Sequence, residues 1–168
     1  MNNLGQFLRT YAQAHHERIA YEVKRGFRTE RLSFAEVYAM ALKTATFLQG
    51  YPLKKGDTLA IWSPNMPEYP TLYFGCWLLG IVVVPIDVRT TEETLQAFVT
   101  KAACRLGFKS KLIAGTFPKP VAQTYALEDL IELVQEFPPL ENLPEVLPDD
   151  LAEIAFTSGT TGTPKGVL

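Results

Sequence analysis

A chain of 168 residues, 47% apolar and 11% aromatic, has enough nonpolar side-chain area to bury a core, which excludes a disordered chain. A formal net charge of −2 leaves no overall electrostatic footprint for nucleic acid or an anionic membrane. The two cysteines, Cys76 and Cys104, sit far apart in apolar contexts. They read as reduced core residues of a cytoplasmic chain, and neither they nor His15-His16 show metal-ligand spacing.

The N-terminus, Met1-Asn2-Asn3-Leu4-Gly5-Gln6, lacks the basic start and long apolar run of a signal peptide. Leu4, Phe7, Leu8 and Tyr11 recur at helical spacing and predict a helix from residue 3 to about 14. Ile19 to Val23 alternates as a strand, Lys24-Arg25-Gly26 turns, and a second short strand runs towards Leu32-Ser33-Phe34. Ser33 with Glu36 forms a capping box, and the helix it starts runs through Val37, Ala41 and Ala45 towards Leu48. Gly50 and Pro52 break it.

Thr58 to Trp62 follows as a strand. Asn65 with Glu68 reads as a second cap pair, with Pro67 in the first turn of a helix that ends before Gly80. Residues 71 to 86 carry no charge, but Gly75, Gly80 and Pro85 interrupt them, and the stretch falls short of the ~20 apolar residues of a spanning helix. A buried helix followed by a buried strand explains it better. The β-branched run Ile81 to Ile86 suits a central parallel strand covered on both faces, with Asp87 at its carboxyl end.

Thr90 or Thr91 caps a helix from Glu92 to Ala103, whose acidic first turn suits the helix dipole. Leu106-Gly107-Phe108 and Leu112-Ile113-Ala114 read as short strands, and Leu127 to Phe137 as a helix. Pro138, Pro139, Pro144 and Pro148 punctuate a surface crossing before the short apolar strand Ile154-Ala155-Phe156. The alternation of strands and helices predicts an α/β fold with a largely parallel sheet flanked by helices. Ligands in such sheets bind beyond the carboxyl ends of the strands.

The last strand runs into Thr157-Ser158-Gly159-Thr160-Thr161-Gly162-Thr163-Pro164-Lys165-Gly166. Glycines let a backbone turn with positive φ and approach a ligand closely. Successive N–H groups in such a turn form an anion-binding nest. Hydroxyls add neutral donors, and Lys165 adds a compact cation. A polyphosphate is the ligand this combination suits. It is not the common P-loop: counting from Gly159, that pattern needs glycine where Pro164 stands, and Ser or Thr where Gly166 stands. Pro164 and Gly166 also oppose a following helix, so the loop is expected to join two strands, the second opening at Val167-Leu168.

That run resembles the AMP-binding signature of the adenylate-forming enzymes, which include acyl-CoA synthetases, peptide-synthetase adenylation domains and luciferases. Leu32-Ser33-Phe34-Ala35-Glu36-Val37 is similar to the family's first core motif, with Phe34 in place of tyrosine. Leu79-Gly80-Ile81-Val82-Val83-Val84-Pro85-Ile86-Asp87 resembles its second, and Gly56-Asp57 through Asn65-Met66-Pro67-Glu68 the strand, loop and helix between them. The likeness extends over nearly the whole chain, which it identifies, over residues 1–168, as the N-terminal portion of an AMP-binding domain.

The resemblance implies an enzyme that uses ATP and Mg2+ to turn a carboxylic acid into an acyl-adenylate and passes the acyl group to CoA. A general likeness to long-chain acyl-CoA synthetases points to a fatty acid. The signature carries the β- and γ-phosphates of ATP onto Thr157, Ser158, Gly159, Thr160, Thr161, Gly162, Thr163 and Lys165. None of these is a catalytic acid, base or nucleophile, and no metal ligand is assigned. The adenine pocket, the magnesium-binding glutamate and the C-terminal lid of the family lie downstream of these motifs. A piece without them is expected to be inactive alone, to hold no cofactor tightly, and to self-associate through an unpaired sheet edge. No nucleic-acid partner and no transmembrane segment are expected. Ser33 and Glu36 read as a helix cap, Pro85 and Asp87 as a strand end, and Trp62, Trp77, Tyr69, Tyr73 and Phe74 as core rather than acyl pocket. The alternatives are a P-loop phosphotransferase, a Rossmann dinucleotide binder, and a non-catalytic α/β interaction module or pseudo-enzyme.

Overall fold

The computed structural model describes residues 3–157 and 165–167, with the side chains of Arg25 and Lys165 left aside. Helix α1 (Leu4–Ala14) is followed by an antiparallel hairpin, β1 (Ile19–Arg25) and β2 (Arg28–Ser33), and by α2 (Phe34–Gln49). Strand β3 (Thr58–Trp62), α3 (Glu68–Leu79), β4 (Val82–Ile86), α4 (Glu92–Lys101) and β5 (Leu106–Lys109) alternate as the sequence predicts. Then come β6 (Gln123–Ala126), a 3-10 turn (Leu127–Asp129), α5 (Leu130–Gln135), and the strands β7 (Ala155–Thr157) and β8 (Lys165–Val167).

The main sheet has the order β4-β3-β5-β6, and all of its pairs are parallel. Period-two alternation divides its side chains between two cores. Leu59, Ile61, Val83, Leu106 and Phe108 face a cluster with residues of α1, α2, α3 and α5. Ala60, Trp62, Val84 and Ile86 face the other way, onto Leu95, Phe98 and Val99 of α4. The result is a sheet with helices on both faces. Helices α2 and α3 approach closely because Gly75 has no side chain: a Cβ there would stand 2.6 Å from Thr44 Cγ2 and 3.3 Å from the Ala41 carbonyl.

The capping box is present. Ser33 Oγ accepts from the Glu36 N–H at 3.2 Å, and the Ser33 N–H donates to Glu36 Oε2 at 2.8 Å. Thr91 caps α4 by accepting from the Thr94 N–H at 3.3 Å. Both cysteines are free and buried, and burial pushes the Cys104 thiol up to about 11. Residues 71 to 86 do form a buried helix and strand, and among the described residues no helix is long and apolar enough to cross a membrane.

Several local expectations are corrected. Leu112-Ile113-Ala114 is not a strand, because Ser110 captures its backbone: Ser110 Oγ accepts from the Leu112 N–H at 3.1 Å and the Ser110 carbonyl from the Ile113 N–H at 3.2 Å, while Glu128 Oε1 accepts from Ser110 Oγ at 2.6 Å. The missing partner of β5 is β6, whose mixed polar residues carry little strand signal. Asn65 does not cap α3. The helix begins at Glu68, so Glu68 is its first residue rather than its third, and it turns inward to 2% exposure. Strand β4 is covered on both faces but is not central in the four-stranded sheet; β3 and β5 are its interior strands. The helix expected up to Phe137 is split into the 3-10 turn and α5, ending at Gln135. The proline-rich crossing is irregular, yet anchored: the Leu140 N–H donates to the Leu42 carbonyl at 3.2 Å and Asn3 Nδ2 to the Val146 carbonyl at 2.6 Å.

Candidate phosphate-binding hairpin at the carboxyl edge of the sheet

The parallel pairing of β3 with β4 aligns Trp62 with Ile86, so their carboxyl ends open together. There Ser63, Pro64, Asn65, Tyr69, Pro85 and Asp87 line a groove of about 360 Å³. Trp62 Nε1 donates to the Asp87 carbonyl at 3.1 Å and ties the two strand ends. The Asp87 carboxylate accepts from the Arg89 N–H at 2.8 Å and, bidentately, from its guanidinium at 2.8 and 2.9 Å. The Arg89 guanidinium and backbone N–H hold the Asp87 carboxyl well below the usual carboxylate range. Among the described residues, the groove's ionised carboxylate is therefore already neutralised by its neighbour.

The free edge of β4 receives the chain on its way to the glycine-rich run. The Val83 N–H donates to the Ala152 carbonyl at 3.0 Å, and the Ile154 N–H donates to the Val83 carbonyl at 2.9 Å. This bridge is parallel. Val83 lies four residues before Asp87, and Glu153 four residues before Thr157, so β7 delivers Thr157 to the same end of the sheet as Asp87. Phe156 stacks on Phe98 of α4, with centroids 4.4 Å apart and planes 11° from parallel, which fixes β7 against the body.

Strand β8 returns antiparallel to β7, pairing Thr157 with Lys165, Phe156 with Gly166 and Ala155 with Val167. The loop does join two strands, but the strands are offset from the expected ones. Thr157 and Lys165, assigned to the loop in the sequence, are the last backbone pair of the hairpin. Ser158, Gly159, Thr160, Thr161, Gly162 and Thr163 lie outside the described residues, and of Lys165 the backbone alone is described. Trp62, at 3% exposure, is buried in the core that faces α4, and Tyr73, at 9%, in the opposite core, where Tyr69, Phe74 and Trp77 pack half-buried. Burial raises the pKa of Tyr69 and Tyr73, so both stay neutral at ordinary pH. The groove residues Ser63 and Asn65 were not singled out in the sequence; their only signal is their place just beyond a strand's carboxyl end. Among the described residues, no group of three His, Cys, Asp or Glu is placed to hold a metal ion.

A parallel sheet flanked by helices, with the strands that bear the glycine-rich run at its carboxyl edge, defines an α/β class. The model of the AMP-binding enzyme family matches residues 8–168, and the chain belongs to that family. It is 32% identical to a 2-succinylbenzoate–CoA ligase of Bacillus licheniformis over 140 residues, covering 82% of this chain and 29% of that protein. It is 29% identical to the long-chain-fatty-acid–CoA ligase FadD13 of Mycobacterium tuberculosis over 177 aligned residues, covering all of this chain and 35% of that protein. The inhibitor-bound N-terminal domain of FACL13 from Mycobacterium tuberculosis superposes with a TM-score of 0.87 at 28% identity, covering 99% of this chain and 44% of that one. The chain thus spans about a third of the length of these curated relatives.

Proposed function

We propose that this chain is the N-terminal portion of the AMP-binding domain of an ATP-dependent acid–thiol ligase. A carboxylate oxygen of the acid attacks the α-phosphorus of ATP, forming a P–O bond as the bond to the bridging oxygen breaks and pyrophosphate leaves. A thiol, that of CoA, then attacks the acyl carbon, and AMP departs. The first step needs the leaving pyrophosphate held in line and its growing charge neutralised. Thr157, Ser158, Thr160, Thr161, Thr163 and Lys165, with the backbone N–H groups of Gly159 and Gly162, supply donors suited to that role. The observation that carries this reading is the Thr157–Gly166 run, borne by a hairpin at the carboxyl edge of a parallel sheet. Among the described residues, no group of three His, Cys, Asp or Glu is placed to hold magnesium.

The acid is a fatty acid in this reading. A relative that covers all of this chain is named for long-chain fatty acids, although another relative is named for 2-succinylbenzoate. ATP–pyrophosphate exchange over a panel of acids tests it: exchange with fatty acids is expected, and exchange with amino acids alone would overturn it. The 168-residue chain by itself is expected to show no exchange and to bind ATP weakly; a submicromolar Kd by calorimetry would contradict that. Two free buried thiols suit a cytoplasmic setting. Among the described residues β8 pairs with β7 alone, and Val167 is exposed. An open edge of this kind favours self-association, and a sharp monomer by light scattering at high concentration would exclude it.

A further inference from the structure

The tip of the β1–β2 hairpin is built against its own stability in water. A two-residue turn, Gly26-Phe27, closes it, with Gly26 at φ +61°. Phe27 at the apex has a relative exposure of 111% and is the most exposed large apolar residue among those described. The register pairs the backbones of residues 25 and 28 next to the turn. Closer to the body the pairing is ordinary: Arg31 Nε donates to Glu22 Oε1 at 2.8 Å across the same two strands. Lys24 and Arg28 are exposed. The five residues Lys24 to Arg28 thus carry three of the chain's 16 basic residues and none of its 18 acidic ones. The rest of the chain has 13 basic against 18 acidic residues, so its net charge is −5 where the tip is +3.

We infer that this tip docks on an anionic lipid surface, with Phe27 entering the headgroup–acyl boundary and the flanking cations facing lipid phosphates and carboxylates. An aromatic ring at the apex of a basic element suits that boundary, which favours aromatic side chains and attracts basic ones. The anionic surface relieves the cost of the hydrated phenyl ring and supplies counter-charges to the exposed Lys24 and Arg28. The negative remainder of the chain would hold the body off the same surface and leave the hairpin as the point of contact. A nucleic acid fits less well, because it needs a basic stripe to track its backbone, and this charge is confined to one turn. The inference is independent of the ligase reading.

The test is co-sedimentation of the 168-residue chain with vesicles of phosphatidylcholine, with and without about one-third phosphatidylserine. Each cation near such a surface contributes about fivefold in affinity. The double reversal K24E/R28E is therefore expected to lower binding to anionic vesicles more than 25-fold, and raising the salt to about 0.5 M should release the wild-type chain. F27A is expected to weaken binding several-fold while leaving the thermal midpoint unchanged, because the ring touches no core. In F27W, brominated lipids should quench emission beyond that seen from Trp62 and Trp77 in the parent chain. Equal binding to neutral vesicles, or no added quenching in F27W, would overturn the inference. So would retention on polyglutamate or single-stranded DNA with no vesicle binding at low salt.

Discussion

The sheet body and the β7–β8 hairpin are held by different means. In the body, β3 contributes five buried residues in a row, Phe108 and Leu59 are wholly enclosed, and Gly75 leaves no room for even a methyl group between α2 and α3. Among the described residues, the hairpin and the segment leading to it are joined to that body by a pair of backbone hydrogen bonds at Val83, a hydrogen bond from Trp77 Nε1 to the Ala152 carbonyl, the packing of Ile154 and the stack of Phe156 on Phe98. The candidate chemistry sits on the lightly attached part. A phosphate grip needs backbone N–H groups facing a ligand, and a backbone packed into a core has already spent them. The comparison predicts that body substitutions change stability, whereas hairpin substitutions change activity with little effect on stability.

The largest effect is expected from Phe108→Ala. The ring is fully buried beside Phe47 and Tyr125, and its loss should cost about 3–5 kcal/mol in denaturant unfolding. Lys165→Ala in the ligase should slow ATP–pyrophosphate exchange about 100-fold while shifting stability by no more than ~0.5 kcal/mol. A large loss of stability there would erase the distinction between the two regions. Gly75→Ala drives a methyl into Thr44 and should cost about 1–3 kcal/mol; the double variant Gly75→Ala with Thr44→Ser should recover part of it.

Smaller effects sharpen the account of the body. Ser33→Ala removes the α2 cap and should cost about 1 kcal/mol. It also tests a pH dependence. The backbone N–H and hydroxyl of Ser33 lower the Glu36 carboxyl from its ordinary 4.5. A depressed carboxyl contributes stability above its unfolded value and loses it as pH falls through the folded one. Wild-type stability should therefore fall below about pH 4.5, and Ser33→Ala, which removes the hydroxyl but keeps the backbone N–H, should flatten that part of the profile only in part. The smallest change is expected from Thr71→Val. Thr71 Oγ1 is buried without a hydrogen-bond partner, so an apolar replacement of the same shape should be neutral or stabilising by up to about 1 kcal/mol. A clear destabilisation would reveal a partner for the hydroxyl.

Much of this was legible in the chain. The β-branched run from Ile81 to Ile86, the Ser33–Glu36 box and the Thr91 cap are local signals, and each produced the expected element. The Thr157–Gly166 run gave the family before any coordinates, because a loop that contacts a ligand through backbone and short polar side chains must be written contiguously. What was not legible depends on partners distant in sequence. Strand β6 exists because β5 offers it an edge, not because Gln123-Thr124-Tyr125-Ala126 favours a strand. The turn at Leu112 exists because Ser110, itself held by the distant Glu128, captures the Leu112 N–H. The sequence by itself determined most of the elements, the two-sided burial and the candidate phosphate loop. Tertiary structure alone decided which strands are interior, where the loop is mounted, and that its first and last assigned residues, Thr157 and Lys165, close a hairpin. Propensity and capping act within a few residues, whereas strand order and edge pairing are chosen by contacts between segments far apart in the chain.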